Sequence, residues 1–350
     1  MAIDVKLLKE ICETPGVPGY EQKVRELVHH YLDDIADEIY DDNMGNVIAI
    51  KKGTKDKAVM AAAHMDEIGF MVTHIDDNGF LRFNPLGGFD PKTLTAQRVV
   101  VHGKKDLIGV MGSKPIHLMS ADERKQGLKI SDFFIDLGMD GDEVKKLVDV
   151  GTPITRERKL IEMGDCVNSK SLDNRISVFI LIEAMKELKD VEIPYDLQAV
   201  FTVQEEVGLR GAMVAAHGLN PDFGLGLDVT IAYDVPGSKP EEQITQLGGG
   251  VAIKIMDTST IADYRMVAYM KELCDDNKIK WQPEILTGGG TDTAGIQRMS
   301  KNGSIAGCIS IPTRHVHQVI EMANKEDIRA AIDLLKLSVQ NLDSYDWSFK

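Results

Sequence analysis

Apolar residues recur along this chain with two different periods, and the changes of period mark its elements. Helical spacing over residues 3–13 and 20–35 predicts two amphipathic helices. Pro15-Gly16-Val17-Pro18-Gly19 separates them, because prolines and glycines at that density cannot continue a helix. Residues 46–51 and the run Ala58-Val59-Met60-Ala61-Ala62-Ala63 read as strands. From residue 166 onward the two periods alternate. Helices are predicted over 174–189, near 209–218, over 261–277 and over 324–342, and strands over 197–204, 223–229, 250–256, 281–286 and 304–311. Such alternation predicts an α/β fold with a largely parallel central sheet flanked by helices. The Met and Leu positions on the helix faces read as core.

Residues 70–163 break this rhythm. Short apolar stretches such as Arg98-Val99-Val100-Val101-His102 and Leu107-Ile108-Gly109-Val110-Met111 are separated by glycine, proline and charged turns. The expected organisation is therefore an α/β domain of residues 1–69 plus 164–350, with a small β-rich domain inserted at 70–163. No internal repeat, low-complexity tract or flexible linker interrupts either part.

Charge narrows the partners. A formal net charge of −15 over 350 residues describes an acidic surface that repels nucleic-acid phosphates and anionic headgroups, so neither nucleic acid nor membrane is expected as a partner. The segment MAIDVKLLKEICETPG mixes acidic with apolar residues and lacks a long apolar run, which predicts neither a signal peptide nor a membrane span and makes the cytoplasm the expected location. Cys12, Cys166, Cys274 and Cys308 are far apart and show no CxxC spacing, so a thiolate zinc site or a disulfide framework is not expected.

The chemistry gathers at strand ends, where open α/β sheets place their ligands. Ala61-Ala62-Ala63 runs into His64-Met65-Asp66, and residues two apart on an extended chain share a side, so Asp66 can bond the imidazole or lie beside a metal that it binds. By itself this histidine reads more readily as structural than as functional. Ser171-Leu172-Asp173-Asn174-Arg175 precedes a helix, and Asp173 alone would read as an N-cap. The strand Leu197-Gln198-Ala199-Val200-Phe201-Thr202-Val203-Gln204 leads into Glu205-Glu206-Val207-Gly208. Two carboxylates closing an apolar strand are costly unless solvated or paired with a cation. Gly224-Leu225-Gly226-Leu227 ends in Asp228, and Ile309-Ser310-Ile311 continues through Pro312-Thr313-Arg314 to His315-Val316-His317. Any one of these can be a surface turn. Together they offer two histidines and several carboxylates, a mixed N/O donor set suited to Zn²⁺ or Co²⁺.

These motifs, with Pro15-Gly16-Val17-Pro18-Gly19-Tyr20-Glu21 and Gly288-Gly289-Gly290-Thr291-Asp292, resemble over nearly the whole chain the TET-type metalloaminopeptidases. That family includes glutamyl and deblocking aminopeptidases and members labelled endoglucanases. The resemblance implies two divalent ions per subunit, with Asp173 bridging, His64 and Asp228 completing one, and Glu206 and His317 completing the other. It also implies Glu205 as general base, Asp66 orienting the His64 side, peptides with free N-termini as substrates, and a tetrahedral homododecamer assembled through the insert. Family members usually carry Tyr where this chain has His315, which leaves His315 as an alternative participant.

Three other readings remain open. A carboxypeptidase or deacylase of related architecture would need a basic anchor for a substrate carboxylate, which sequence does not assign. A non-catalytic metal-binding scaffold is the second. An endoglucanase, needing opposed carboxylates without metals, fits poorly with adjacent Glu205 and Glu206 and leaves the histidines unexplained. The preferred N-terminal side chain is not legible. Gly288-Gly289-Gly290 reads equally as a tight turn or as backbone approaching substrate, and His74 and His117 read as surface or interface residues.

Overall fold

The computed structural model describes residues 2–349. In chain order its strands are β1 (Glu38–Asp41), β2 (Val47–Lys51), β3 (Ala58–His64), β4 (Gly69–Ile75), β5 (Leu81–Leu86), β6 (Arg98–His102), β7 (Asp106–Gly112), β8 (Phe134–Asp136), β9 (Pro153–Arg156), β10 (Ile161–Met163), β11 (Cys166–Ser169), β12 (Asp196–Thr202), β13 (Phe223–Ile231), β14 (Val251–Met256), β15 (Trp281–Ile285), β16 (Ile305–Arg314) and β17 (Glu321–Asn324). One large sheet runs β1-β2-β12-β3-β13-β16-β17-β11-β10, with β14 and β15 branching from β16.

Its centre, β12-β3-β13-β16, is parallel, and most of the margin pairs antiparallel. The reason is visible in β3, where every residue from Val59 to His64 is buried. A strand covered on both faces carries a continuous apolar run, the mark of a parallel interior. Helices Val5–Glu13, Gln22–Leu32, Leu172–Leu188, Tyr264–Asn277 and Lys325–Gln340 contribute to the main core on one side. On the other, Ala215, Ala216 and Ile296 pack against Ile48, Met60 and Val200.

Four short strands, β1, β10, β11 and β17, and the helix Thr293–Met299 were not expected, because their three to seven residues carry little apolar periodicity. That helix presses directly on β13, where Cβ atoms at Gly224 and Gly226 would lie 2.4 and 2.0 Å from the Ile296 and Thr293 side chains. Strand β12 stops at Thr202 instead of 204, since Gln204 takes a positive φ of 56° that turns the chain.

The β-rich segment closes into a barrel, β4-β5-β8-β7-β6-β9, around its own core of Phe70, Val72, Leu81, Val99, Val101 and Ile135. Residues 161–163, placed by sequence inside the insert, pair with β11 in the large sheet. No helix among the described residues is long and apolar enough to cross a membrane, and all four cysteines are free.

Candidate active site and metal centre

Parallel register brings the functional side chains to one edge. His64 ends β3 opposite Thr202, the last residue of β12, so Glu205 and Glu206 follow immediately beside it. Asp228 pairs with Ser310 on β16, whose continuation carries His317. Asp173 enters from the start of the helix Leu172–Leu188, where its backbone is not helical (φ −77°, ψ 106°). The reading of Asp173 as a simple N-cap is therefore incorrect: Ser171 holds that position, and the Asp173 carboxylate faces the two histidines. Asn174 fixes this turn by donating to the Leu227 carbonyl at 2.8 Å, next to Asp228. Arg175 is wholly buried and donates to the carbonyls of Met65, Ile11, Thr14 and Gly16, which binds the first helix and the Pro-Gly break to the site's underside.

The two oxygens of Asp173 face different imidazoles. Oδ1 lies 3.4 Å from His64 Nε2, and Oδ2 lies 3.3 Å from His317 Nε2. Asp228 Oδ1 is 3.8 Å from His64 Nε2, and Glu206 Oε2 is 3.5 Å from His317 Nε2. His64, Asp173 and Asp228 thus form one potential donor group and Asp173, Glu206 and His317 a second, each with its ligand atoms within 4.8 Å of one another. Donors about 2.1 Å from a common ion in tetrahedral directions lie roughly 3.4 Å apart. The observed separations match that spacing.

Polarity points the same way. His64 Nδ1 is taken up by the Asp66 carbonyl at 3.0 Å, so the Nε2 of a neutral ring turns a lone pair toward carboxylate oxygens, acceptor against acceptor. Only a proton or a cation relieves that arrangement. Buried Glu206 Oε1 has no hydrogen-bond partner either. With no ion bound, burial disfavours charge on His64, but Glu205, Asp173 and Asp66 outweigh it and hold the imidazole well above its ordinary range. Burial likewise opposes charge on His317, while Asp173 and Glu206 lift it to about 10. Burial pushes Glu205 and Asp228 well above the carboxylate range and Glu206 to about 7. Carboxylates this crowded, with two imidazoles among them, form a site with a deficit of positive charge, which a bound metal ion would supply.

Residues 45–334 match the M42 glutamyl aminopeptidase family. The chain belongs to that family. It is therefore a metal-dependent aminopeptidase, a peptide hydrolase. Among its relatives, the lysyl aminopeptidase of Pyrococcus furiosus is 35% identical over 366 residues, covering 99% of each chain. The TET aminopeptidase structure from the marine sediment archaeon Thaumarchaeota archaeon SCGC AB-539-E09 superimposes with a TM-score of 0.94 at 37% identity, over 97% of this chain and 96% of that one. The Pyrococcus horikoshii TET1 peptidase, described as assembling into a tetrahedron or a large octahedral shell, gives 0.86 at 32% identity, over 96% and 98%.

In this M42 aminopeptidase the donor groups open into a cleft of ≈ 660 Å³ lined also by Leu209, Val229, Ile231, Leu286, Gly288–Gly290 and Val316. The glycine run, left undecided by sequence, borders the cleft. His315 is exposed and lies outside both donor groups. The Asp66 carboxylate, with Oδ1 3.5 Å from His64 Nδ1, also accepts the backbone N–H groups of Glu205 and Glu206 at 3.0 and 3.1 Å.

Three residues escaped the sequence reading. Asp292 lies near the site, bonded by the Thr202 hydroxyl, and burial raises its carboxyl to about 6. Lys254 reaches the cleft wall from β14, held by Glu284 and lying 3.6 Å from Asp257. Glu321, at the start of β17, is wholly buried behind Asp173 and His317. Of the three, only Asp292 stood in a quoted motif.

Proposed function

We propose that this aminopeptidase removes N-terminal residues from peptides with two divalent ions, Zn²⁺ or Co²⁺, shared through Asp173. The observation that carries the reading is the split of the Asp173 carboxylate between His64 and His317, which builds two donor groups on one bridging residue. His64 and Asp228 would complete one site, and Glu206 and His317 the other. When bound, such a pair lowers the pKa of water, stabilises oxyanion charge and can engage a free α-amine.

The protein's part is positioning and proton transfer. Glu205 belongs to neither donor group, yet its Oε2 is 3.8 Å from His64 Nε2, beside the reacting centre. From there it can take a proton from water and return it to the leaving amine. Asp66 holds Glu205 and Glu206 in register through their adjacent backbone N–H groups, so the base and the ligand move as one unit. Leu209, Val229, Ile231 and Leu286 give the cleft apolar walls against which a substrate side chain can pack.

Lys254 argues against a carboxypeptidase. Among the described residues lining the cleft it is the one lysine or arginine, and Glu284 with Asp257 already neutralises it, so it makes a poor anchor for a substrate carboxylate. We further take the barrel segment, residues 70–160 without the strand at 161–163, as a separate oligomerisation domain within a closed homo-oligomer, a dodecamer by analogy with the TET relatives, and the cytoplasm as its location. Exposed Ile108, Val110, Ile116 and Leu118 supply that domain with apolar contact surface.

The test is hydrolysis of aminoacyl-p-nitroanilides and of matched peptides with free or acetylated N-termini, with Zn²⁺ or Co²⁺ and after EDTA treatment. Activity on free N-termini that EDTA abolishes and metal restores is expected. Equal cleavage of acetylated peptides would overturn the requirement for a free N-terminus, products cut from the interior of the peptides would overturn the exopeptidase reading, and a metal-loaded but silent protein would favour a scaffold.

A further inference from the structure

Glu321 makes no contact with the cleft, yet it touches the backbones of two proposed ligands that arrive from different elements. Its Oε2 accepts the Asp173 N–H at 3.0 Å, and its Oε1 accepts the His317 N–H, also at 3.0 Å. Asp173 comes from the entry to the helix Leu172–Leu188 and His317 from the connection between β16 and β17, 144 residues later in the chain. Their side chains meet on the far side of this carboxylate, at the 3.3 Å approach of His317 Nε2 to Asp173 Oδ2.

The residue that grips them is itself firmly held. Glu321 is wholly buried, pairs with Ser169 across β11 and β17, and its carbonyl accepts from the Asn168 side chain at 3.0 Å. What it holds is not held otherwise by regular structure. His317 has a φ of 62° and His315 a φ of 61°, in the left-handed region that residues with a Cβ rarely adopt. Asp173 departs from helical geometry within its own helix. An acceptor with one oxygen for each N–H fixes both backbones at once.

We propose that Glu321 is a positioning residue that sets the Asp173–His317 pair, and with it the affinity of the Asp173/Glu206/His317 group for its ion. The role rests on the two-ion reading above. The amide of Glu321→Gln keeps one acceptor oxygen and turns a second donor toward the other N–H, so one ligand backbone loses its hold while side-chain volume is preserved.

Apoprotein titrated with Co²⁺, followed by calorimetry and by visible absorption of the bound ion, reads the effect directly. Wild type should show two binding steps, with His317→Ala and Asp228→Ala each identifying one. Glu321→Gln should weaken the step that His317→Ala removes by about 10–100-fold, the usual effect of losing a partner that orients a ligand, and alter its absorption while sparing the other. Thermal melting of the metal-free variants provides the control for stability. If wild type shows a single step that His317→Ala leaves untouched, the ligand assignment falls and the positioning role falls with it. If His317→Ala removes one of two steps but Glu321→Gln leaves both unchanged, or weakens both alike in proportion to a lowered melting temperature, the ligand assignment stands and the positioning role is refuted.

Discussion

Glu205 and Glu206 are neighbours in sequence whose proposed roles separate cleanly on substitution. Both backbone N–H groups are held by Asp66, so neither variant disturbs that anchor. In Glu205→Gln the side chain keeps its volume and the two donor groups keep every member, because Glu205 belongs to neither. What disappears is a base near His64 Nε2. Loss of general-base catalysis lowers turnover by about 10²–10⁴-fold, or roughly 2.7–5.4 kcal/mol of activation free energy. Metal content should stay at the wild-type value. Glu206→Ala instead strips one of the three members of the Asp173/Glu206/His317 group, so that ion should be lost more completely than when an orienting partner is removed, and activity should fall with it. The assay is elemental analysis of dialysed protein alongside kcat and KM for an aminoacyl-p-nitroanilide. A Glu205→Gln protein with near wild-type turnover, or one that has lost metal, would refute the division of labour.

Other outcomes follow from the same structure. Lys254→Met leaves Glu284 and Asp257 buried without their cation, a change that costs about 3–5 kcal/mol. With an unfolding entropy of roughly 0.7 kcal/mol/K for a chain of this length, the melting temperature should drop by about 4–7 °C, and adding Glu284→Gln should recover part of the loss; an unchanged Tm would show that the pair contributes nothing net. Burial opposes charge on His29, but Asp41 at 2.7 Å and Asp33 raise its pKa above the ordinary value. Because the folded pKa is the higher, this stabilisation is fully present below about pH 6.5 and is lost as pH rises through the folded value. His29→Gln should therefore cost more at pH 6 than at pH 9, by no more than about 1 kcal/mol for so exposed a group. Chelation should lower the melting temperature, since ions bound only by the native chain stabilise it, and calorimetry with and without EDTA checks this. Light scattering should report a large closed assembly that Ile116→Asp with Leu118→Asp dissociates; a monomer at all concentrations would remove the role given to the barrel.

Local sequence carried much of this protein's plan. Apolar runs such as Val59–Ala63 are buried on both faces and announce a parallel interior, and an acid or histidine at the end of such a run is conspicuous because an apolar strand has no local use for it. His64, Glu205, Glu206 and Asp228 could be singled out as candidates for that reason. Asp173 was ambiguous, since a carboxylate at a helix start has an ordinary local role as a cap.

Tertiary structure alone decided the rest. Glu321 stands in a short strand with no periodicity, and its importance lies in two N–H groups, one of them 148 residues away. Lys254 and Glu284 sit on neighbouring strands as a pair that neither stretch of sequence reveals. Asp66 was expected to serve His64, two residues away; that its carboxylate, 3.5 Å from the imidazole, also holds Glu205 and Glu206, 139 and 140 residues on, is visible only in the fold. Periodicity records which face a residue shows to its own element. A buried charge is explained by whatever lies across the fold from it, and only the packed chain brings that neighbour into place.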